Sequence, residues 1–385
     1  MRIIAFYLPQ FHDIPENDEW WGKGFTEWVN VKKAKPLFEG HHQPRVPLNK
    51  NYYDLTDDTT QIWQADIAKK YGVYGFCYYH YWFNGKLVLE RPMEQMLANK
   101  DIDIPFCVCW ANEPWTKAWV GKKEVILPQF YGGEKEWKEH FDYLLPFLKD
   151  DRFIKVDGKL LVVIYRAEVI PDLNKMLDYW NRLAKEAGIP ELTYAYQDMT
   201  FDLITDKDDR HFDYNIEFQP SYAWMDMHSK SKVKSSKAWS FLRSLKRKVY
   251  TKFEKSAGFD LERYFQNGKK ESSVEIANYD DVWNAVLERK PKTKKDVPGA
   301  FVGWDNTPRK ENRGRVYVGD TPEKFEKYLK KQIIRARDEY KKDMIFMYAW
   351  NEWAEGGYLE PDERSGYGYL EAIRNALVDT CEFPK

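Results

Sequence analysis

The stretch that decides the fold is Met344-Ile-Phe-Met-Tyr-Ala-Trp-Asn-Glu-Trp-Ala-Glu-Gly-Gly-Tyr-Leu-Glu-Pro361. It begins as an apolar run typical of a buried strand and ends in three glutamates set among tryptophans. A helical turn after the strand would bring Glu352 and Glu355 to one side, with their Cβ atoms about 5–6 Å apart. That spacing suits retaining glycosidase chemistry, in which two carboxyl groups lie roughly 5–5.5 Å apart. The stretch therefore predicts a strand that ends in a site for breaking a glycosidic bond.

Seven further apolar runs precede this strand, and helical patterns separate most of them. The predicted strands lie at 2–8, 73–83, 104–110, 159–165, 192–196, 213–218 and 298–304. Helical periodicity is found at 59–71, 92–99, 134–149, 171–187, 321–341 and 367–378. Eight strands alternating with helices predict an α/β fold, a (β/α)₈ TIM barrel, as one catalytic domain over 1–385. A doubly wound sheet is the alternative, but no glycine-rich phosphate loop follows the first strand.

One segment interrupts this alternation, between the sixth and seventh strands. Residues 225–272 form a predicted basic helical insertion, in which lysines and arginines crowd between 230 and 255 and apolar residues recur every three or four positions. One interpretation is a basic amphipathic helix that contacts an anionic membrane or a lipid-linked substrate. The other is a solvated helix that packs its apolar stripe on the barrel.

Composition indicates which classes of binding partner and which cellular compartment to expect. Aromatic residues make up 17% of the chain, with 16 Trp, 26 Tyr and 22 Phe, which suggests a lining of flat, amphipathic surfaces. A net charge of −1 gives no reason to expect nucleic acid. Four cysteines without a disulfide pattern and a start that runs directly into a strand, with no signal peptide, predict a cytoplasmic protein, peripheral at the inner membrane face if the insertion binds lipid. No apolar run approaches the roughly 20 residues that span a bilayer.

Glu352 and Glu355 are the predicted catalytic residues, as base or nucleophile and general acid. The alternative is an acidic turn at a helix start, where the helix dipole favours carboxylates. Glu360, next to Pro361, is predicted to be structural or peripheral.

Further candidates for substrate binding lie at or near strand ends, where barrels place their active sites. They are Tyr7, Glu27, Trp28, His80, Trp110, Asn112, Glu113, Arg166, Glu217, Trp304, Asp305, Trp350 and Asn351. Asp305, with Arg309 nearby, could hydrogen-bond sugar hydroxyls or could cap a helix instead. His80 could equally be a packed core histidine, and Arg166 and Glu217 could pair with each other.

Other chemistries find less support. The seven histidines form no His-Glu-x-x-His metal pair, and no Gly-x-Ser-x-Gly elbow occurs. We therefore expect no cofactor and no metal.

Six ordered motifs resemble the successive signatures of the WbsX-like family. They are Tyr7-Leu-Pro-Gln-Phe-His12, Gly24-Phe-Thr-Glu-Trp28, Tyr79-His-Tyr-Trp-Phe83, Trp110-Ala-Asn-Glu113, Trp304-Asp-Asn306 and Ala349-Trp-Asn-Glu-Trp-Ala-Glu-Gly356. That resemblance implies a glycosyltransferase of O-antigen or capsule biosynthesis with a domain like glycoside hydrolase family 99, whose members are retaining endo-α-mannosidases and mannanases on a (β/α)₈ barrel. It also implies that Glu352 draws the proton from a sugar 2-hydroxyl to form a 1,2-anhydro sugar, and that Glu355 protonates the leaving oxygen.

The sequence as a whole predicts a carbohydrate-active enzyme that acts on a glycosidic bond of a surface polysaccharide or its precursor, by hydrolysis. A true glycosyltransferase that uses an activated donor is the first alternative. A glycan-binding barrel whose acids only hydrogen-bond sugar is the second.

Overall fold

A computed structural model of the chain describes residues 1–116, 125–198, 209–232 and 273–384. Nine parallel strands form a nearly closed barrel. In chain order they are β1 Arg2–Tyr7, β2 Val73–Phe83, β3 Phe106–Trp110, β4 Lys159–Ile164, β5 Leu192–Asp198, β6 Phe212–Glu217, β7 Asp296–Val297, β8 Gly299–Phe301 and β9 Met344–Tyr348. Their spatial order is β7-β6-β5-β4-β3-β2-β1-β9-β8, and every neighbouring pair is parallel.

The predicted strand at 298–304 differs from the observed one. It is split into β7, which pairs with β6, and β8, which pairs with β9. Pro298 lies between the two halves, and since proline has no N–H it cannot donate to a ladder. Its carbonyl still accepts from Phe346 N–H at 3.3 Å, so the two halves bring the two ends of the sheet together.

Eleven α-helices are present in the described ranges. They are α1 Pro15–Trp21, α2 Glu27–Lys33, α3 Asp58–Tyr71, α4 Arg91–Ala98, α5 Glu134–Leu148, α6 Leu173–Glu186, α7 Ser221–Lys232, α8 Tyr279–Glu288, α9 Thr307–Lys310, α10 Pro322–Arg335 and α11 Gly368–Asp379. The predicted helix at 321–341 ends earlier as an α-helix and continues as one π-helical turn, Ala336–Tyr340. Short strands flank the barrel at Lys86–Val88, Trp115–Thr116, Val125–Leu127, Lys155–Val156, Glu275–Asn278, Arg315–Val318, Asn351–Glu352 and Gly357–Tyr358.

The strands are buried on both faces, as the continuous apolar runs predict. All five residues of β3 are buried, and so are all five of β9. Helix α6 shows the matching layer, because Met176, Leu177 and Trp180 lie on one buried stripe. The core therefore has two layers, one inside the barrel and one between strands and helices.

The predicted (β/α)₈ barrel is confirmed. Of the predicted insertion at 225–272, the structure describes only the end of α7, and residues 233–272 lie outside the described residues. Within the described ranges, no helix has both the length and the apolar composition needed to cross a membrane.

Candidate active site

The segment after β9 forms the turn that the glutamate spacing requires. Asn351–Glu352 pairs with Gly357–Tyr358 in antiparallel fashion, and the residues between them form a single 3₁₀ turn, Trp353–Glu355. Gly356 ends this turn with φ 64°, where a Cβ would come within 2.9 Å of the Asp305 backbone nitrogen. The glycine therefore allows the turn to lie against the loop that follows β8.

Arg309 joins three carboxylates at this end of the barrel. Its Nη1 donates to Glu355 Oε1 at 2.8 Å and its Nη2 to Glu352 Oε2 at 3.2 Å. Its Nε donates to Glu27 Oε2 at 3.1 Å. The two predicted catalytic carboxylates are thus neighbours on a single guanidinium, and Glu27 holds the third side of that group.

These charges lie mostly out of water. Glu27 is fully buried and Glu352 is 5% exposed, whereas the Glu355 side chain keeps 20% of its surface. Burial raises the pKa of Glu352; the nearby Arg309 opposes this, while the negative charges of Glu355 and Glu27 add to it. Three carboxylates share one guanidinium, so Glu352 has a much higher proton affinity than an exposed glutamate.

Asp305 lies in the loop after β8 and bonds the first residue of α9, the short helix that carries Arg309. Asp305 Oδ1 accepts from the backbone N–H of Thr307 at 3.1 Å and from its hydroxyl at 2.6 Å, at the start of α9. Its Oδ2 accepts from His41 and Gln43, and its backbone N–H donates to Glu355 O at 2.6 Å. Burial would raise the pKa of Asp305, but these hydrogen bonds and the charge of Arg45 lower it. Asp305 is therefore an ionised carboxylate that ties the two loops together, and Asn306 occupies the N-cap position of α9.

Two aromatic side chains, Tyr348 and Trp304, lie beside the carboxylates. Tyr348, the last residue of β9, donates its hydroxyl to Glu355 Oε2, and the Trp304 ring lies 5.6 Å from the Tyr348 ring. The indole nitrogen of Trp304 is buried and has no hydrogen-bond acceptor among the residues that the structure describes. Buried donors are usually paired in proteins, so this N–H is available to an acceptor that enters the site.

Sequence reasoning did not select Tyr348 and named Arg309 only beside Asp305. The tyrosine ends an apolar run, and its place as the last strand residue was the one signal available. Nothing local to Arg309 shows that it reaches Glu27, which lies in the first part of the chain.

Glu360, eight residues beyond Glu352, lies in a different environment. It is 2% exposed and accepts from Tyr53 Oη at 2.7 Å, from Gln64 Nε2 at 2.6 Å and from Trp353 Nε1 at 2.6 Å. Burial raises its pKa to about 7, and these hydrogen bonds oppose the rise. Tyr7 belongs to the same network, because its hydroxyl donates to Gln64.

Three more of the predicted binding residues pack around the 3₁₀ turn Trp353–Glu355 or hold the segment before it. Trp28 donates its indole N–H to Tyr53 O at 2.7 Å and contacts Trp353 with ring centroids 5.5 Å apart. Trp350 is fully buried against Phe76. Asn351 bonds both backbone groups of Leu8, accepting at 2.7 Å and donating at 2.9 Å.

A second polar cluster follows β3 and β4. Asn112 accepts from Arg166 N–H and donates to Arg166 O, both at 2.8 Å. The Arg166 guanidinium bonds Glu113 and Glu168. Asn112, Glu113 and Arg166 are thus brought together, at a cluster separate from the Arg309 guanidinium.

The remaining predicted site residues lie between the barrel and its helices. His80 is 2% exposed and its Nε2 is 2.9 Å from His140 Nε2, and burial lowers its pKa to about 3. Trp110 packs at the same interface, against His140. Glu217 accepts from Arg289 at 2.8 Å and from Tyr340 at 2.9 Å, so it does not depend on Arg166 for a partner.

The chain matches a known protein family over most of its length. The model of the family described as Glycosyltransferase WbsX matches residues 3–373. Two proteins from strains of Xanthomonas campestris pv. campestris, each described as uncharacterized protein WxcX, are 34% identical over 379 residues. The alignment covers 98% of this chain and 49% of theirs, so the chain spans about half the length of these relatives.

Solved structures share the fold at low sequence identity. A protein described as glycoside hydrolase-like superposes with a TM-score of 0.56 at 12% identity, covering 97% of this chain and 93% of that one. The GH99 endo-α-mannosidase from Bacteroides thetaiotaomicron, in complex with Bis-Tris-propane, gives a TM-score of 0.52 at 13% identity over 99% of this chain and 97% of the other.

Proposed function

Since the chain belongs to the family of WbsX glycosyltransferases, we propose that it cleaves a glycosidic bond of a surface polysaccharide or O-antigen-type glycan with retention of configuration. The observation that carries this proposal is the single guanidinium of Arg309 between Glu352 and Glu355, at the carboxyl end of a barrel strand. Membership of a carbohydrate-active family supports a saccharide substrate, and the barrel shared with an endo-α-mannosidase supports family 99-like chemistry.

In this proposal Glu352 is the general base. It takes the proton from the sugar 2-hydroxyl while the 2-oxygen bonds to C1 and the C1–O glycosidic bond breaks. A hydroxyl is a weak acid, so a base of raised pKa removes its proton better than an ordinary carboxylate. The burial of Glu352 among other carboxylates supplies that property.

Glu355 is the general acid. It donates a proton to the leaving oxygen and then takes one from the incoming water, which opens the 1,2-anhydro ring at C1 while Glu352 returns its proton to the 2-oxygen. Two inversions at C1 give net retention. The partial exposure of Glu355 suits this role, because water must reach it. Arg309 and Tyr348 hold its two oxygens and so fix its direction.

Glu27 and Trp304 are assigned supporting roles. Glu27 bonds Arg309 Nε and leaves both terminal nitrogens of the guanidinium for the catalytic pair. The buried indole N–H of Trp304 is proposed to donate to a substrate oxygen beside Tyr348.

A glycosyltransferase is the second candidate, and the description of the family favours it. The same two carboxylates could protonate a leaving group and activate a sugar hydroxyl instead of water. We propose the cytoplasm as the compartment of either reaction, because four free thiols would stay reduced there.

One incubation separates these candidates. The protein is mixed with α-linked oligosaccharides in water, without any activated donor, and released reducing ends are counted for wild type, Glu355→Gln and the exposed control Glu371→Gln. Release by wild type and the control but not by Glu355→Gln supports hydrolysis. Turnover that requires a nucleotide-linked or lipid-linked sugar would replace hydrolysis by transfer. Binding by all three proteins without turnover on any substrate would favour a glycan-binding barrel.

A further inference from the structure

A cleft on the outside of the barrel lies beside the segment that follows the 3₁₀ turn Trp353–Glu355, here called the catalytic turn, and Pro361 is part of its lining. Its volume is about 510 Å³, within the roughly 300–1,000 Å³ of ligand pockets. It is formed by the loop around Asn49, Lys50 and Asn51, by Trp63 of α3 and by Tyr367 at the start of α11, with Tyr52 at its base. The Arg309 cluster (Arg309, Glu27, Glu352 and Glu355) does not line it, and neither does the Asn112 cluster (Asn112, Glu113, Arg166 and Glu168).

The side chains of this cleft are of types that are suited to sugar binding. Asn49 and Asn51 are exposed, Trp63 is half-buried, and none of the three side chains bonds another residue in the described ranges. The Trp63 ring contacts no other described ring. An amphipathic ring with free amides beside it can stack on a sugar and hydrogen-bond its hydroxyls.

The charge of the cleft has one sign. Lys50 lines it, Lys32 lies with its Nζ 4.1 Å above the Tyr52 ring, and no carboxylate is part of the lining. Lys32 covers a face of Tyr52 and Tyr71 stacks on Tyr367, so Trp63 is the lining ring that has neither a cation nor another ring against it in the described ranges. One ammonium group in the lining, a second over the Tyr52 ring and no carboxylate among the described lining residues favour a sugar that carries a negative charge.

The loop that carries these groups is held in an unusual conformation. Asn49 and Lys50 have φ values of 56° and 55°, and two successive non-glycine residues in this region are uncommon. Leu48 N–H donates to Pro361 O at 3.0 Å, which fixes the loop to the segment that follows the catalytic turn. Backbone strain of this kind concentrates at ligand-binding positions.

We propose that this cleft is a second saccharide site, which holds an acidic sugar unit of the glycan on which the enzyme acts. Trp63 stacks on the ring, Asn49 and Asn51 bond its hydroxyls, and Lys50 pairs with its acid group. Tyr52 contacts Trp28, which contacts Trp353 in the catalytic turn, so the cleft could engage the same chain as the active site. The inference rests on the proposed glycan substrate but not on the Glu352–Glu355 pair.

The test is titration calorimetry of the whole chain with tetragalacturonate and with neutral maltotetraose. Wild type is expected to bind tetragalacturonate more tightly, and Trp63→Ala to weaken that binding by about tenfold or more. Lys50→Gln, which alters an exposed side chain and leaves the core intact, is expected to remove most of the preference for the acidic sugar. Ile334→Ala and Lys331→Gln, exposed on α10, are the controls.

Each other outcome would overturn the inference. It is contradicted if wild type binds no tetragalacturonate at millimolar concentration, or prefers maltotetraose, or if Trp63→Ala and wild type bind alike. Glu355→Gln separates the two sites. Tetragalacturonate binding that survives this substitution belongs to the cleft, whereas binding that is lost with it belongs to the active site and refutes the cleft. A failure of hydrolysis alone would leave the calorimetric result unchanged.

Discussion

Glu352 and Glu360 lie on one short segment, both are buried, and burial raises the pKa of both. Their partners differ. Glu360 accepts from three neutral donors, Tyr53, Gln64 and Trp353, and these satisfy both of its oxygens. Glu352 shares one guanidinium with two other carboxylates and lies next to the partly exposed Glu355.

The comparison sets a carboxylate held by neutral donors against one that we propose to take part in the chemistry. A buried acid surrounded by neutral donors from the core stabilises one conformation, because each donor would otherwise be buried without an acceptor. A carboxylate that shares one cation with other carboxylates is only partly stabilised in its ionised form, so it can both bind and release a proton. Perturbed pKa values alone do not distinguish the two cases, since structural networks also perturb them.

The largest effect is expected from substitutions of the pair. Glu352→Gln and Glu355→Gln should each lower kcat by about 10²- to 10⁴-fold, the usual contribution of a positioned acid or base. At neutral pH stability should change little, because each substitution removes one of several like charges around Arg309. Reducing-end release and thermal unfolding measure both quantities. A kcat near wild type for either folded variant would show that the substituted glutamate is not part of the chemistry.

Arg309→Met should be damaging in a second way. It leaves Glu27, Glu352 and Glu355 without their shared cation, and removing one partner of a buried ion pair costs about 3–5 kcal/mol. Since Arg309 lowers the pKa of Glu352, the residual activity should shift to higher pH.

The control for Arg309→Met is the double variant with Glu27→Gln. Because Glu27 loses its partner in the single variant, the two substitutions together should destabilise the fold by less than the sum of the two alone. Denaturant unfolding of the four proteins of the cycle checks this, and additive losses would argue against the Arg309 cluster.

Glu360→Gln should show the opposite balance of effects. Its new amide would face the donors that now point at the carboxylate, so the free energy of unfolding should fall by about 1–3 kcal/mol. The kcat of the folded variant should remain close to wild type, because Glu360 contacts no proposed reacting group. Urea unfolding and turnover are measured in parallel. A selective loss of kcat would assign Glu360 to the chemistry.

The pH dependence should give the smallest effect. As general base, Glu352 must be ionised, so kcat/KM should fall as pH drops below its raised pKa, at a higher pH than for an ordinary glutamate. For stability, its contribution is fully present below the unfolded-state pKa of about 4.3 and is lost as pH rises through the folded-state pKa. The stability of Glu352→Gln relative to wild type should therefore increase with pH. A difference in stability that stays constant from about pH 4 to 9 would contradict the raised pKa.

Much of the fold could be predicted because continuous apolar runs identify strands that are buried on both faces. The split at Pro298 was not foreseen, since hydrophobicity does not report which N–H groups a ladder needs. The insertion at 225–272 stays a prediction beyond Lys232.

The site was harder to predict because neighbouring residues of a strand point to opposite faces. Phe6 contacts Tyr79 and Phe218 inside the barrel, whereas Tyr7 bonds Gln64 on α3. Both residues lie at the end of β1. Only the register of the strand shows which side chain points into the barrel and which points towards the helices. Sequence spacing alone indicates that Glu352 and Glu355 are neighbours across one short turn. The contact between Glu27 and Arg309 depends on tertiary structure.

The most direct test of the central claim is the configuration of the first product. The protein is incubated with an α-linked oligosaccharide that it cleaves, and the anomeric protons of the released sugar are followed by NMR before mutarotation. Neighbouring carboxylates on one guanidinium predict that the α anomer appears first, with retention. Initial release of the β anomer would contradict the account.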